Sequence, residues 1–248
     1  MNPSRLSTKA IPANERLIFA LDVPDHDTAL RLVRDLGDSV TFYKLGLELF
    51  AAGNYFDLAR ELVDQGKLVF VDLKFFDIAE TVGRAVGRLH DHGVHFVSVH
   101  GNEEMIRAAC AHRNGLLKVL AVTVLTSLDD KDMEDLGFQV PVAELVLSRA
   151  RRALAAGADG IISSGLEAST LRAELGERFL IVTPGIRPVE NRIELDGELL
   201  DDQKRIVTVT EAFENGADYV VIGRPIRDAP DPHRRASEIQ ETIARAFS

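Results

Sequence analysis

Along the chain, short runs rich in apolar and β-branched residues alternate with longer stretches whose apolar residues recur at helical spacing. The strand-like runs fall at residues 17–21, 41–45, 68–73, 96–99, 117–124, 160–162, 179–182 and 219–222. Amphipathic stretches separate them, clearest at 28–36, 55–65, 79–90, 142–155 and 210–215, and another near 235–247 follows the last strand. Gly66, Gly93, Gly157 and Gly216 each stand between a helical stretch and the next strand, where a left-handed cap carries no Cβ penalty. The phrase Gly-Ala-Asp recurs at two of these returns, ending at Asp159 and Asp218. Regular alternation of this kind predicts parallel βα units. Eight units in 248 residues suit a closed TIM-type (β/α)8 barrel, and polar residues at many strand ends favour it over an open doubly wound sheet. No linker or low-complexity stretch divides the chain, so residues 1–248 read as one barrel domain, with the polar residues 1–14 expected to form a flexible N-terminal arm.

Composition narrows the function classes. Acidic side chains outnumber basic ones by 39 to 29, for a formal net charge of −10. Such a surface repels nucleic acid and anionic lipid, so neither is expected as a partner, and an anionic substrate needs a local positive site. The single cysteine, Cys110, allows no intrachain disulfide and fits a reducing compartment. No apolar run approaches the roughly 20 residues that span a bilayer. The N-terminus has no signal-peptide core, and a cytoplasmic protein is expected. His90, His92, His95 and His100 match no common ligand spacing, so no metal is expected. Gly83 and Gly87 lie within a helical stretch, where they suit close packing better than dinucleotide binding, and Cys110 reads as buried filler.

Chemistry in a barrel belongs at the C-terminal ends of the strands. There the first strand runs into Asp22, the second ends at Lys44, and the third leads into Asp72-Leu-Lys74-Phe-Phe-Asp77. Residues two apart on a strand share a face, so Asp72 and Lys74 point one way and Leu73 the other. With neighbouring strands about 4.8 Å apart, Asp22, Lys44, Asp72 and Lys74 can meet at one mouth with alternating sign. A lone charge at a strand end is an ordinary rim ion pair. Four on three consecutive strands are a candidate active site, because clustered buried charges must be paired. At the other side of the barrel, Gly185-Ile-Arg187 follows the seventh strand and Gly223-Arg224-Pro225 follows the eighth. Those two loops are the usual phosphate grip of this fold. Glycine admits backbone N–H groups, and arginine offers paired charge-assisted bonds.

These motifs, with Ala-Leu-Asp22, Lys44-Leu-Gly, Val-Leu-Thr126-Ser127, Thr183-Pro-Gly-Ile-Arg187-Pro, Asp202-Gln203-Lys-Arg and Val-Ile-Gly223-Arg224-Pro, resemble the orotidine 5′-monophosphate decarboxylase family over essentially the whole chain. The resemblance implies decarboxylation of orotidine 5′-monophosphate to uridine 5′-monophosphate and carbon dioxide, in de novo pyrimidine biosynthesis and without a cofactor. It implies Lys74 as the proton donor to C6 and Asp72 beside the leaving carboxylate. Asp22 and Lys44 are implied at the ribose hydroxyls, with Lys44 extending the charge network. Thr126, Ser127 and Thr81 are implied as substrate contacts, Ser127 at the pyrimidine edge. Arg187, Gln203, Gly223 and Arg224 are implied at the substrate's phosphate end. It also implies a homodimer in which Asp77 reaches the partner's site. Two features depart from the pattern. The run between Arg187 and Gln203 is longer than the usual bacterial loop, and Phe76 stands where relatives often carry a polar residue.

Two other readings stay open at this stage. One is a sugar-phosphate decarboxylase such as a 3-keto-L-gulonate 6-phosphate decarboxylase. That branch resembles a magnesium-dependent site with an acidic ligand two residues before the Asp-x-Lys pair, where this chain has Phe70. The other is a non-catalytic nucleotide-binding barrel, which would have no use for so costly a charge cluster.

Overall fold

The computed structural model describes residues 5–187, 194–195, 198–199 and 205–248. Eight parallel strands close into a barrel: β1 (Leu17–Ala20), β2 (Phe42–Leu45), β3 (Leu68–Phe75), β4 (Phe96–Val99), β5 (Lys118–Val122), β6 (Gly160–Ile162), β7 (Leu180–Thr183) and β10 (Tyr219–Ile222). β10 lies between β7 and β1 and shuts the sheet. β8 (Glu194–Leu195) and β9 (Glu198–Leu199) pair with each other as an antiparallel hairpin. The helices are α1 (His26–Leu36), α2 (Leu47–Ala52), α3 (Tyr55–Asp64), α4 (Ala79–Leu89), α5 (Glu103–His112), α6 (Asp130–Asp135), α7 (Val142–Ala155), α8 (Ala168–Leu175), α9 (Val209–Glu214), α10 (Arg224–Arg227) and α11 (Pro232–Ala246).

Strand parity builds the molecule in two shells. Residues of one parity, among them Phe42, Phe70, Phe96, Leu120 and Tyr219, fill the barrel interior. Phe96 packs against both Phe42 and Tyr219, with ring centroids 4.9 and 5.2 Å away. Residues of the other parity pack outward against the helices. Because the period is two, the next inward positions above the apolar filling are Asp22 after Ala20, Lys44 after Phe42, Asp72 after Phe70 and Ser98 after Phe96. The interior is therefore oily below and polar at the C-terminal mouth.

Several details differ from expectation. Residues 5–14 do not hang loose. The Arg5 N–H donates to the Glu214 carbonyl, Ser7 is buried and bonds Asp218, and Lys9 Nζ lies 3.1 Å from the same carboxylate. The reason is the wholly buried Asp218, which also takes Arg172 at 2.6 Å and the Ile181 N–H at 2.8 Å. A buried carboxylate needs such partners, and the arm supplies two of them. Asp159, in the same phrase, likewise accepts the Val119 N–H at 2.8 Å, so both Gly-Ala-Asp returns bond a neighbouring strand. Cys110 is half-buried rather than buried. Gly83 serves close packing, since a Cβ on it would lie 2.6 Å from the His112 ring on α5, whereas a Cβ on Gly87 would meet His112 only at an ordinary 3.5 Å. β3 runs on to Phe75 instead of ending at residue 73. Among the described residues, no helix is long and apolar enough to cross a membrane.

Candidate active site

The polar mouth opens into a cavity of about 440 Å³ whose walls include Asp22, Lys44, Asp72 and Lys74. The four form one chain of alternating charge. Lys44 Nζ lies 2.9 Å from Asp22 and 3.6 Å from Asp72, and Lys74 Nζ lies 3.0 Å from both oxygens of Asp72. Burial deepens toward the middle, with Lys44 and Asp72 buried and Asp22 and Lys74 partly open. Burial alone would depress the Lys44 ammonium, but Asp72 and Asp22 outweigh it and place its pKa above the ordinary value. Burial alone would raise the Asp72 carboxyl. Lys44, Lys74 and a hydrogen bond from Ser98 overcome that and hold it below the ordinary value. Gly46 is part of the arrangement, because a Cβ there would stand 2.7 Å from Asp22 Oδ1 and 3.1 Å from Lys44 Nζ.

Asp72 and Lys74 share the cavity, as their spacing predicts, but not on a regular strand. The β3–β4 ladder pairs Val71 with Val97 and next Phe75 with Val99, so four steps on β3 match two on β4. Lys74 takes φ 50°, a left-handed conformation that L residues avoid. Ser98 fills the gap. Its Oγ accepts the Lys74 N–H at 2.9 Å and donates to Asp72 Oδ1 at 2.7 Å.

Across the cavity stand Gly185 and Arg187 after β7, and Gly223 and Arg224 at the start of α10. Gly185 has φ 76°, which only glycine adopts without strain. The backbone at Arg187 and Val207 pairs at 3.0 Å, so residues 187 and 207 are held side by side. Thr126 and Ser127, after β5, line a third wall. Ala20, Phe70, Val122, Ile162 and Val221 supply an apolar floor. The cavity thus offers an apolar bed, a charged edge and a cationic end, which suits a heterocycle carrying a phosphate.

Asp77 and Thr81 do not join this cavity. Asp77 is exposed and its carboxylate accepts the Ile78 N–H at 2.6 Å, while Thr81 lines a separate groove on α4. Gln203 and residues 188–193 lie outside the described residues. His100 follows β4 and packs on the Phe76 ring, with centroids 5.8 Å apart. Among the described residues, no group of three or more His, Cys, Asp or Glu is placed to hold a metal ion.

The structure adds residues that the sequence reading passed over. Arg227 lines the cavity and donates to the Asp22 carbonyl at 2.7 Å. Arg205 pairs with Glu167 and reaches the Val124 and Leu125 carbonyls at 3.1 and 2.9 Å, holding the loop that carries Thr126 and Ser127. Ser98 was readable as the inward position above Phe96, but a single serine in a strand carries no chemical signature of its own.

A family model described as "Orotidine 5'-phosphate decarboxylase / HUMPS family" matches residues 15–239. The chain is 58% identical over 246 residues to an orotidine 5'-phosphate decarboxylase of Methylococcus capsulatus, covering 99% of both chains. It is 49% identical to one of Stenotrophomonas maltophilia, covering 95% of each. Among solved structures it resembles an orotidine 5'-phosphate decarboxylase from Lactobacillus acidophilus. There the TM-score is 0.77 at 36% identity, with 94% of this chain and 99% of that one covered.

Proposed function

Because this chain belongs to the orotidine 5′-phosphate decarboxylase / HUMPS family, we propose that its charged barrel mouth decarboxylates orotidine 5′-phosphate to uridine 5′-phosphate and carbon dioxide. The enzyme is a carboxy-lyase of de novo pyrimidine biosynthesis. The observation that carries the assignment of roles is the Asp22–Lys44–Asp72–Lys74 chain, set in one cavity with Arg187 and Arg224.

The roles proposed for these residues follow the family resemblance, and that arrangement supports them. The bond from C6 to its carboxylate breaks, carbon dioxide leaves, and the electron pair stays on C6. The Lys74 ammonium stabilises that pair and transfers a proton from Nζ to C6. Asp72 stands beside the carboxylate that departs and, by its two contacts of 3.0 Å, keeps Lys74 Nζ aimed into the cavity. Asp22 and Lys44 hold the ribose hydroxyls. Ser127 meets the pyrimidine edge with Thr126 beside it. Arg224, with Arg187 and the backbone at Gly223, takes the phosphate, and Gln203 is assigned to the same end of the substrate by resemblance. Binding energy gathered at the phosphate then lowers the barrier at C6.

The working unit in this proposal is a homodimer. Asp77 and Thr81 lie outside their own chain's cavity and are assigned to the partner's site. Supporting this, Phe76 and Ile78 on either side of Asp77 are exposed, as are Leu47 and Phe50 on the helix that follows the neighbouring strand β2, and exposed apolar surface of this kind suits an interface. The cytoplasm is the proposed compartment, in keeping with the single cysteine. Incubating the purified chain with orotidine 5′-phosphate and following the ultraviolet change to uridine 5′-phosphate tests the activity. Absence of turnover from folded protein would overturn it.

A further inference from the structure

Asp72 and Lys74 must keep a fixed mutual orientation, yet they stand where β3 leaves its ladder. Between the Val71–Val97 and Phe75–Val99 pairs, only Ser98 on β4 faces the three residues Asp72, Leu73 and Lys74. The Lys74 amide is served there by a side chain, Ser98 Oγ at 2.9 Å. The same oxygen spends its one proton on Asp72 Oδ1 at 2.7 Å. Ser98 is wholly buried and is not among the residues lining the cavity. It follows Phe96 on the inward parity of β4, as Asp72 follows Phe70 on β3, and Phe70 and Phe96 are paired. One hydroxyl thus ties the backbone of one charged residue to the carboxylate of the other, at a lysine whose φ of 50° needs external support.

We propose that Ser98 is a positioning residue for the decarboxylation, acting through Asp72 and Lys74 without touching the substrate. The proposal rests on the reading of the site given above. Ser98 gives Lys74 a backbone anchor where the ladder offers none, and it adds a second donor to Asp72 Oδ1, which fixes the carboxylate's rotation. Losing it lets the lysine drift in the transition state while the ribose and phosphate contacts stay in place.

The test is Ser98→Ala, with Ser98→Cys as a near-isosteric second variant that keeps the volume and weakens the donor. Folding is checked by circular dichroism. In Ser98→Ala, kcat for orotidine 5′-phosphate should fall about ten- to a hundredfold, the effect of losing a hydrogen bond to a charged group, with KM moving less than about threefold. Ser98→Cys should lose less, in the same direction. The Asp72 carboxyl, followed by carbon-13 NMR, should titrate higher in Ser98→Ala than in wild type, because a bond to the charged form is gone. A residue that served packing alone would leave that titration unmoved. Wild-type kcat and an unchanged carboxyl titration in either folded variant would overturn the proposal. Failure of the wild type to turn over substrate would strike the decarboxylase reading instead, and the carboxyl titration would still decide the role of Ser98.

Discussion

Replacing Lys74 separates its chemical role from its structural cost. The ammonium sits 3.0 Å from Asp72 at the cavity wall. A carbanion formed about 4 Å from that ammonium gains roughly 4 kcal/mol at an effective dielectric constant of about 20. That is worth about a thousandfold in rate. Loss of the proton donor adds about a hundred- to ten-thousandfold. Lys74→Ala should therefore lower kcat by roughly 10⁵ or more, read by the ultraviolet change at saturating substrate with folding checked by circular dichroism. The fold should tolerate the change, because Asp72 keeps Lys44 at 3.6 Å and Ser98 at 2.7 Å. A second consequence follows from φ 50° at this position. Alanine there keeps the Cβ clash of a left-handed residue, about 1–2 kcal/mol, and glycine does not. Urea titration should then find Lys74→Gly at least as stable as Lys74→Ala, by up to about 1.5 kcal/mol, once the greater entropy of unfolded glycine is subtracted. Turnover within tenfold of wild type in either variant would refute Lys74 as the acid. A glycine variant clearly less stable than the alanine variant would refute the strain argument alone.

Asp72, whose carboxyl is held below the ordinary value of 3.8, contributes stability that is present above that value and lost as pH falls through its lower folded value. Lys44, raised above 10.5, contributes stability that is present below 10.5 and lost as pH rises through its higher folded value. The gap in unfolding free energy between wild type and Asp72→Asn, from urea titrations, should thus hold level from about pH 5 to 9 and shrink only below about pH 4; a gap already closing near pH 6 would contradict the assignment. Arg224→Ala should weaken uridine 5′-phosphate binding about ten- to a hundredfold in calorimetry and leave uridine unchanged, whereas equal effects on both would remove Arg224 from the phosphate. Mixed Lys74→Ala and Asp77→Ala subunits, each inactive alone, should recover activity after subunit exchange, and no recovery would count against a shared site. Gly46→Ala should push apart Asp22 and Lys44, whose atoms a Cβ would approach to 2.7 and 3.1 Å, and raise KM for the nucleotide; an unchanged KM would show that the pair yields freely.

The barrel was legible because two periodicities coincide with its geometry. Apolar runs mark the strands, and the inward parity of Ala20, Phe42 and Phe70 points straight on to Asp22, Lys44 and Asp72. Lys74 was assigned to the same mouth by a regular pleat that the structure does not have. It reaches the cavity through a bulge, which no local pattern in Asp72-Leu-Lys74 announces. Arg205 and Glu167 meet across 38 positions, and sequence spacing carries no signal for a contact of that range. The docked arm was misread for a related cause. Residues 5–14 look like solvent-facing chain until Asp218, more than 200 positions away, is known to be buried and short of partners.

That long-range link has a kinetic side. β1 pairs with β10, and the Ser7–Asp218 bond spans 211 positions, so the first barrel strand to leave the ribosome must wait for the last. At roughly 5–20 residues per second, the wait is on the order of 10–40 s. Throughout it, β1 and the newest strand present unpaired edges, the feature most prone to mispairing between chains. Contacts so distant in sequence also slow folding, because loop closure precedes their reward. The buried Asp218, recruiting Ser7, Lys9 and Arg172 together, therefore acts as a fastener that engages only when the chain through Asp218 is available. Pairing of β10 with β1 and docking of the arm become one late event, and the nucleotide cavity, walled by both strands, is complete only after it.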